Sequence, residues 1–321
     1  MQKNQLEVVV QSVRPLTGRV REYVLANADG TPLPAYEAGA HIELYLTLDD
    51  APVTRHYSLV GGCGQGSYCI AVQRSTRERG SSWLHTHAAV GTRLIVSRPK
   101  NHLSLDRRDN KSLLIAGGIG ITPVLALLRS LVLRNRPFEL LYVGRHEPDM
   151  AYLPEVRQLA GERARTHCTG MQGSQRPDLQ ALLAVQPPGT TAYVCGPTSM
   201  IDSAHQAAAA LGWATGRVRS ELFTPPPTGD EVPFELNLKK SGLTLQVGQH
   251  TSILEAMVAA GLHPLFDCRR GECGLCPLPV LEADGPLQHR DSYLSSDEKA
   301  SGQSLCICVS RVRGPRLVLN A

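Results

Sequence analysis

SLLIAGGIGITPVLALL, residues 112–128, reads as a continuous apolar run, then a turn with three glycines in four residues, then a second apolar stretch. The first run is short enough for a strand buried on both faces, and the second, from Thr122 to beyond Leu128, is long enough for a helix. Strand, glycine turn and helix in that order is the context a nucleotide-binding turn requires. Working outward from Lys111, FELLYVGR (138–145), TTAYVCG (190–196) and RVRSELF (217–223) read as further strands. Between them TPVLALLRSLVLRN, YLPEVRQLA and SMIDSAHQAAAALGW read as helices, and this alternation predicts a parallel sheet covered by helices on both faces.

On the N-terminal side the period changes. LEVVVQSV, REYVLAN, HIELYLTL, TRHYSLV, SYCIAVQR and TRLIVSR are short alternating segments broken by Gly, Pro and Asp, which predicts an antiparallel β-barrel over residues 1–107 with a helix near Ser82. On the C-terminal side, residues 224–233 hold four prolines in TPPPTGDEVP and predict a linker. The hairpin FELNLKKSGLTLQVG follows, then a helix beginning SILE, in which Ser252 and Glu255 form a capping box. The fold class expected is multidomain: a β-barrel at 1–107, an α/β parallel-sheet domain at 108–226 and an α+β domain of β-grasp, ferredoxin-like type at 227–321.

Composition agrees with this division. The 321 residues are 42% hydrophobic and 19% charged, enough apolar surface to offset chain entropy and too long a chain for one small domain. Thirty-three Lys and Arg stand against 29 Asp and Glu without blocks of like charge, so no nucleic-acid partner is expected. No apolar run approaches the roughly 18 residues of a membrane span. The first residues lead directly into an alternating strand rather than an apolar signal core, so the expected location is cytoplasmic.

Five of the nine cysteines, Cys268, Cys273, Cys276, Cys306 and Cys308, crowd the C-terminal segment. Cys268, Cys273 and Cys276 have C-x4-C-x2-C spacing with a fourth cysteine about 30 residues on, the plant-type [2Fe–2S] arrangement. Gly271 and Gly274 let the loop curl around such a cluster. A zinc-bearing interaction module is the alternative, although a zinc ribbon would place C-x2-C twice, and here the downstream pair is Cys306-x-Cys308. Both of these cysteines lie in the strand-like LCICVSR and are expected on one face, so either could be the fourth ligand; counting alone favours Cys306.

A one-electron cluster fed by a hydride donor needs a two-to-one electron converter, which a flavin supplies. Arg55-His56-Tyr57-Ser58-Leu59 resembles the R-x-Y-S flavin motif of the ferredoxin reductase superfamily. Ala71-Val72-Gln73 and then Gly80-Ser81-Ser82 resemble the strand end and R-G-G-S phosphate loop of the same proteins, with Ser81 in place of the second glycine. Gly117-Gly118-x-Gly120-x-Thr122-Pro123 and Cys195-Gly196-Pro197 resemble their pyridine-nucleotide motifs. In order and extent, nearly the whole chain resembles the phthalate dioxygenase reductase family, which includes vanillate demethylase-type and carnitine monooxygenase-type reductases.

The resemblance implies an NADH-dependent flavin and iron–sulfur oxidoreductase. It would pass electrons through FMN and a [2Fe–2S] cluster to a transiently docked Rieske-type oxygenase of aromatic catabolism. It also implies Arg55 at the flavin phosphate, Tyr57, Ser58 and Leu59 at the ring, Thr122 and Cys195 between flavin and nicotinamide, Arg145 holding the dinucleotide and Phe223 packing on the flavin. The family's final ligand precedes an S-R-type ending, which points to Cys308. No side chain is expected to act as nucleophile or general acid, and the eleven histidines are given no role. An FAD-containing reductase serving another monooxygenase is the enzyme alternative. Arg269 and Arg270, inside the cysteine loop, are read either as charges that steer an acidic partner or as solvated loop charge.

Overall fold

The computed structural model describes residues 5–48, 51–64, 66–75, 79–171, 173–223, 231–249 and 251–321. It divides into two compact units, Met1–Glu221 and Leu222–Ala321. Of the predicted linker at 224–233, residues 224–230 lie outside the described residues.

The first unit begins with β1 (Gln5–Pro15), β2 (Val20–Asn27), β3 (Ala40–Leu48), β4 (Ala51–Ser58) and β5 (Tyr68–Gln73). Helix α1 (Arg79–His87), β6 (Arg93–Ser97) and the short β7 (Lys100–Asn101) follow. These strands form one antiparallel sheet in the order β4-β3-β6-β1-β2-β5, with β7 on β3. Alternation drives it: Val8 and Val10 of β1, and Tyr23 and Leu25 of β2, turn into the core while their neighbours face outward. Beyond β4 the chain crosses to the far edge, where the Val60 amide donates to the Cys69 carbonyl at 2.8 Å, so the sheet nearly closes into a barrel. Leu84 of α1 plugs the core, and its carbonyl accepts from the Tyr23 hydroxyl at 3.0 Å.

The unit continues with β8 (Lys111–Gly117), α2 (Ile121–Leu133), β9 (Phe138–Gly144), α3 (Leu153–Ala160) and β10 (Ala164–Cys168). It ends with α4 (Leu179–Ala184), β11 (Thr190–Cys195), α5 (Thr198–Ala210) and β12 (Val218–Glu221). All neighbours pair in parallel in the order β10-β9-β8-β11-β12. Residues 112–117 of β8 and all of β11 are buried, as strands covered on both faces must be. The chain reverses its direction of sheet growth between β8 and β11, and the crevice beyond their carboxyl ends is where open α/β sheets bind ligands.

The second unit opens with the predicted hairpin, β13 (Phe234–Leu238) and β14 (Leu243–Val247), in register Phe234 to Val247. Helix α6 (Ile253–Ala259) carries the predicted capping box, Ser252 and Glu255 satisfying each other's backbone donors. After the cysteine loop come β15 (Pro277–Ala283), β16 (Leu287–Gln288), α7 (Ser296–Ser301), β17 (Ser304–Cys306), β18 (Arg311–Val312) and β19 (Arg316–Leu319). The sheet runs β14-β13-β19-β15-β17, mixed because β13 and β19 are parallel. Its core packs Leu236, Val247, Leu254, Met257 and Leu317 together with Cys276, Cys306 and Cys308. Among the described residues no helix is long and apolar enough to cross a membrane.

Candidate functional site

The candidate flavin residues occupy the end of β4 and its surroundings. Leu59 is fully buried and Ser58 nearly so, and Ser58 Oγ has no hydrogen-bond partner among the described residues. A buried hydroxyl normally finds a partner, since leaving it unmade costs about 1–3 kcal/mol, so this orphan fits a polar ring edge of a bound flavin. Arg55 and Tyr57 alternate with His56 and Ser58 along β4 and therefore lie on its opposite face. The Arg55 side chain crosses Gly80 so closely that a Cβ there would sit 2.8 Å from Arg55 Cγ. The R-x-Y-S arginine thus meets the start of α1. There the Ser82 hydroxyl donates to the Ser75 carbonyl at 2.7 Å, and the Ser75 amide donates to Ser81 Oγ at 3.2 Å. Ala71 and Val72 of β5 are buried and Gln73 is half-buried.

At the reversal point of the parallel sheet, Gly117 ends β8 and Gly118 to Gly120 form a single 3₁₀ turn leading into α2. Thr122 is buried, its hydroxyl donating to the Ile119 carbonyl at 3.0 Å. The Cys195-Gly196-Pro197 segment lies against this turn: a Cβ on Gly120 would fall 2.1 Å from the Cys195 carbonyl oxygen, and one on Gly117 2.7 Å from Pro197 Cδ. Only glycine permits that approach. Cys195 is fully buried, with Sγ 3.2 Å from the Glu221 carbonyl. Arg145 follows β9 and is exposed, its carbonyl accepting from the Gly170 amide at 2.8 Å. Phe223 is half-buried and belongs to the second unit.

In the second unit the cysteine loop turns at Gly271, whose φ of +77° and packing against Asp291 admit no side chain. The amides of Arg270, Glu272 and Cys273 all point at Cys268 Sγ, at 3.4, 3.3 and 3.4 Å, and the Cys268 amide points at Cys273 Sγ at 3.5 Å. Such N–H donors suit thiolate ligands of an iron–sulfur cluster. Hydrogen bonds from Cys273 and Cys308 hold the Cys268 thiol well below its ordinary value, and bonds from Cys306 and Cys308 bring Cys276 down to about 4. Their partners Cys273, Cys306 and Cys308 are pushed up in turn.

The expectation for Cys306 and Cys308 needs correction. β17 stops at Cys306, and the amides of Val309 and Ser310 turn back onto the Cys306 carbonyl at 3.2 and 2.9 Å, so Cys308 sits in a turn and the same-face argument does not apply. From that turn Cys308 Sγ lies 3.2 Å from Cys276 Sγ and also bonds Cys268, whereas the bond resolved for Cys306 runs to Cys276. The steering role expected of Arg270 fails as well. Its side chain is buried, donating to the Leu222 carbonyl at 2.9 Å and lying 3.6 Å from Glu272. Arg269, half-buried, stacks its guanidinium over Phe266 at 4.7 Å.

Sequence reasoning passed over one cluster. His41 of β3 and Glu221 of β12 are both 1% exposed, with His41 Nδ1 3.8 Å from Glu221 Oε1. The rings of His56 and His102 pack edge-on against His41, with centroids 5.6 and 5.1 Å away. Behind them lies Glu43. Burial pushes its carboxyl up, but hydrogen bonds from His56, Tyr45 and Lys100 outweigh this and hold it below the ordinary carboxylate range. The available signal was the alternation of His41, Glu43 and Tyr45 along one face of an otherwise apolar strand.

Residues 93–218 match the dimethylamine monooxygenase subunit DmmA-like N-terminal domain, and residues 236–313 match the 2Fe-2S iron-sulfur cluster binding domain. The toluene-4-sulfonate monooxygenase system reductase subunit TsaB1 of Comamonas testosteroni is 38% identical over 98% of both chains. The heme-dependent oxidative N-demethylase beta subunit of Ectopseudomonas mendocina is 39% identical over the same share. Among solved structures, phthalate dioxygenase reductase, described as modular for electron transfer from pyridine nucleotides to [2Fe–2S], superposes with a TM-score of 0.78 at 30% identity, covering 99% of this chain and 98% of that one. With its barrel, its glycine turn at the sheet reversal and its cysteine loop in that protein's order, the chain belongs to the phthalate dioxygenase reductase-like family of flavin- and nicotinamide-binding, [2Fe–2S]-bearing oxidoreductases.

Proposed function

We propose that this protein is the NADH-dependent reductase component of a multicomponent aromatic oxygenase or demethylase, acting in the cytoplasm through FMN and a [2Fe–2S] cluster held by Cys268, Cys273, Cys276 and Cys308. What supports the reading is that one chain carries the orphaned Ser58 hydroxyl and the Gly117–Gly120 turn, which suit a flavin and a nicotinamide, together with a cysteine loop whose amides are directed at sulfur, which suits a one-electron cluster.

The flavin supplies conversion of a hydride into single electrons. This chain's residues bind, orient and exclude water. Arg55, crossing Gly80 beside the Ser81 and Ser82 hydroxyls, suits a terminal phosphate and so favours FMN over FAD. Buried Thr122 and Cys195 shape the wall where the nicotinamide is placed against the ring, and Arg145 offers its charge to the dinucleotide. Arg269 remains as a steering charge for the oxygenase.

The partner is first a Rieske-type oxygenase. A heme-containing demethylase is the second reading, favoured by the heme-dependent relative. Extraction and identification of the flavin from purified protein tests the cofactor assignment, and FAD in the extract overturns it. Arg55→Ala forfeits a charge-assisted contact of about 1.5–3 kcal/mol, so FMN retention should weaken about ten- to a hundredfold. Unchanged retention removes Arg55 from the phosphate site.

A further inference from the structure

We propose that His41, positioned by Glu221, accepts the proton set free when a bound flavin is reoxidised, and hands it to His56, which releases it to solvent beside the Glu43–Lys100 pair. The inference rests on the flavin reading above. Its need follows from balance. A hydride carries two electrons and one proton, so if the electrons leave a bound flavin singly, one proton per NADH oxidised must leave the site as well.

The geometry supplies a route. His41 and Ser58 are register partners across β3 and β4, so their side chains share one face with Cβ atoms about 5 Å apart. The Ser58 hydroxyl on that face is buried and without a partner among the described residues, and a bound flavin at the end of β4 would supply one. Glu43 and His56 are the next pair on the same face, with His56 Nε2 3.4 Å from Glu43 Oε1. Lys100 of β7, itself the register partner of His41, donates to Glu43 Oε1 at 3.0 Å and is one-third exposed. A ladder of polar groups thus runs from a buried imidazole to solvent.

Glu221 fixes the other end. It pairs with Cys195 across β12 and β11, beside the candidate nicotinamide wall, and its Oε1 lies 3.8 Å from His41 Nδ1, close enough to stabilise an imidazolium once a proton arrives. Among the described residues, the titratable groups facing His41 include Glu221 from β12, His56 from β4, His102 from the segment after β7 and Lys100 from β7. A purely structural role explains this cluster poorly, because polar side chains buried at this density are commonly no more stabilising than apolar ones of the same volume. Asp109 shows what a structural site looks like in this protein: it accepts from Thr191 and Tyr193 at 2.6 and 2.5 Å.

The test uses the holoenzyme in stopped flow, with reduction by NADH and reoxidation by ferricyanide followed separately in H₂O and D₂O. Loss of a positioned proton acceptor costs about a hundredfold or more, so His41→Asn should slow reoxidation by that order, far more than it slows reduction. In the unmodified protein the reoxidation rate should rise with pH through one ionisation and show a solvent isotope effect, and Glu221→Gln should move that ionisation. Equal slowing of both limbs, or reoxidation independent of pH and solvent isotope, overturns the relay. If His41→Asn does not retain flavin, histidine ¹⁵N NMR of unmodified holoenzyme decides. A buried imidazole that changes protonation between oxidised and reduced forms supports the proposal, and identical spectra overturn it. Absence of flavin from the unmodified protein defeats the underlying reading instead.

Discussion

Cys306 and Cys308 differ by two positions and by what their sulfurs reach. Cys308 reaches both Cys276 and Cys268, which supports it as the proposed fourth ligand beside Cys273. Cys306 ends a strand, and its sulfur bonds only Cys276 of the three loop cysteines. Cys308→Ser should therefore abolish the EPR signal of the reduced cluster while Cys306→Ser preserves it, the reverse pattern making Cys306 the ligand. The sequence left this choice open because spacing alone does not say where a strand ends, and the turn after Cys306 is set by hydrogen bonds from Val309 and Ser310. Counting in strands of period two fails wherever a carbonyl captures the following amides. The pair His41 and Glu221 was hidden for a different reason. Each sits in a segment whose local pattern reads only as strand, and their approach exists only once β3 and β12 have been brought together by the fold.

At the scale of elements, much more was legible. The run at 112–128 dictated β8, the turn and α2, because apolar strand, glycine and helix are local properties of the chain. The capping box at Ser252 was equally local. What the pattern could not supply was the order of strands, hence which carboxyl ends flank the crevice, and the packing of the Cys195 segment on the glycine turn. That packing makes a prediction. Adding one methyl group at Gly120 would place it 2.1 Å from the Cys195 carbonyl, against backbone rather than a flexible side-chain tip, so turn and β11 must separate. Gly120→Ala should raise KM for NADH at least tenfold, about 1.4 kcal/mol of binding, with flavin content unchanged because the candidate flavin residues Arg55, Tyr57 and Ser58 lie on β4 of the barrel. An unchanged KM would mean that the turn does not hold the nucleotide.

At the scale of the molecule, the division into Met1–Glu221 and Leu222–Ala321 places every candidate flavin and nicotinamide residue except Phe223 in one unit, and all four candidate cluster ligands in the other. Each unit has its own core. Cysteine substitution in the second should leave the chemistry of the first in place. Cys268→Ser is expected to lose the cluster absorption and EPR signal, retain FMN and keep most NADH–ferricyanide turnover, because ferricyanide takes electrons from flavin directly. Transfer to the oxygenase component should vanish, since that route passes through the cluster. Contacts between such transient partners are small and guided by charge. With Arg270 buried against Leu222 and Glu272, the steering charge left in the loop is Arg269. Arg269→Glu should slow transfer to the oxygenase at low ionic strength, and the deficit should shrink as salt shortens the Debye length from roughly 30 Å at 0.01 M to about 8 Å at 0.15 M. Loss of ferricyanide turnover in folded Cys268→Ser protein would show that the units do not work separately, and salt-independent transfer by Arg269→Glu would remove charge steering from the loop.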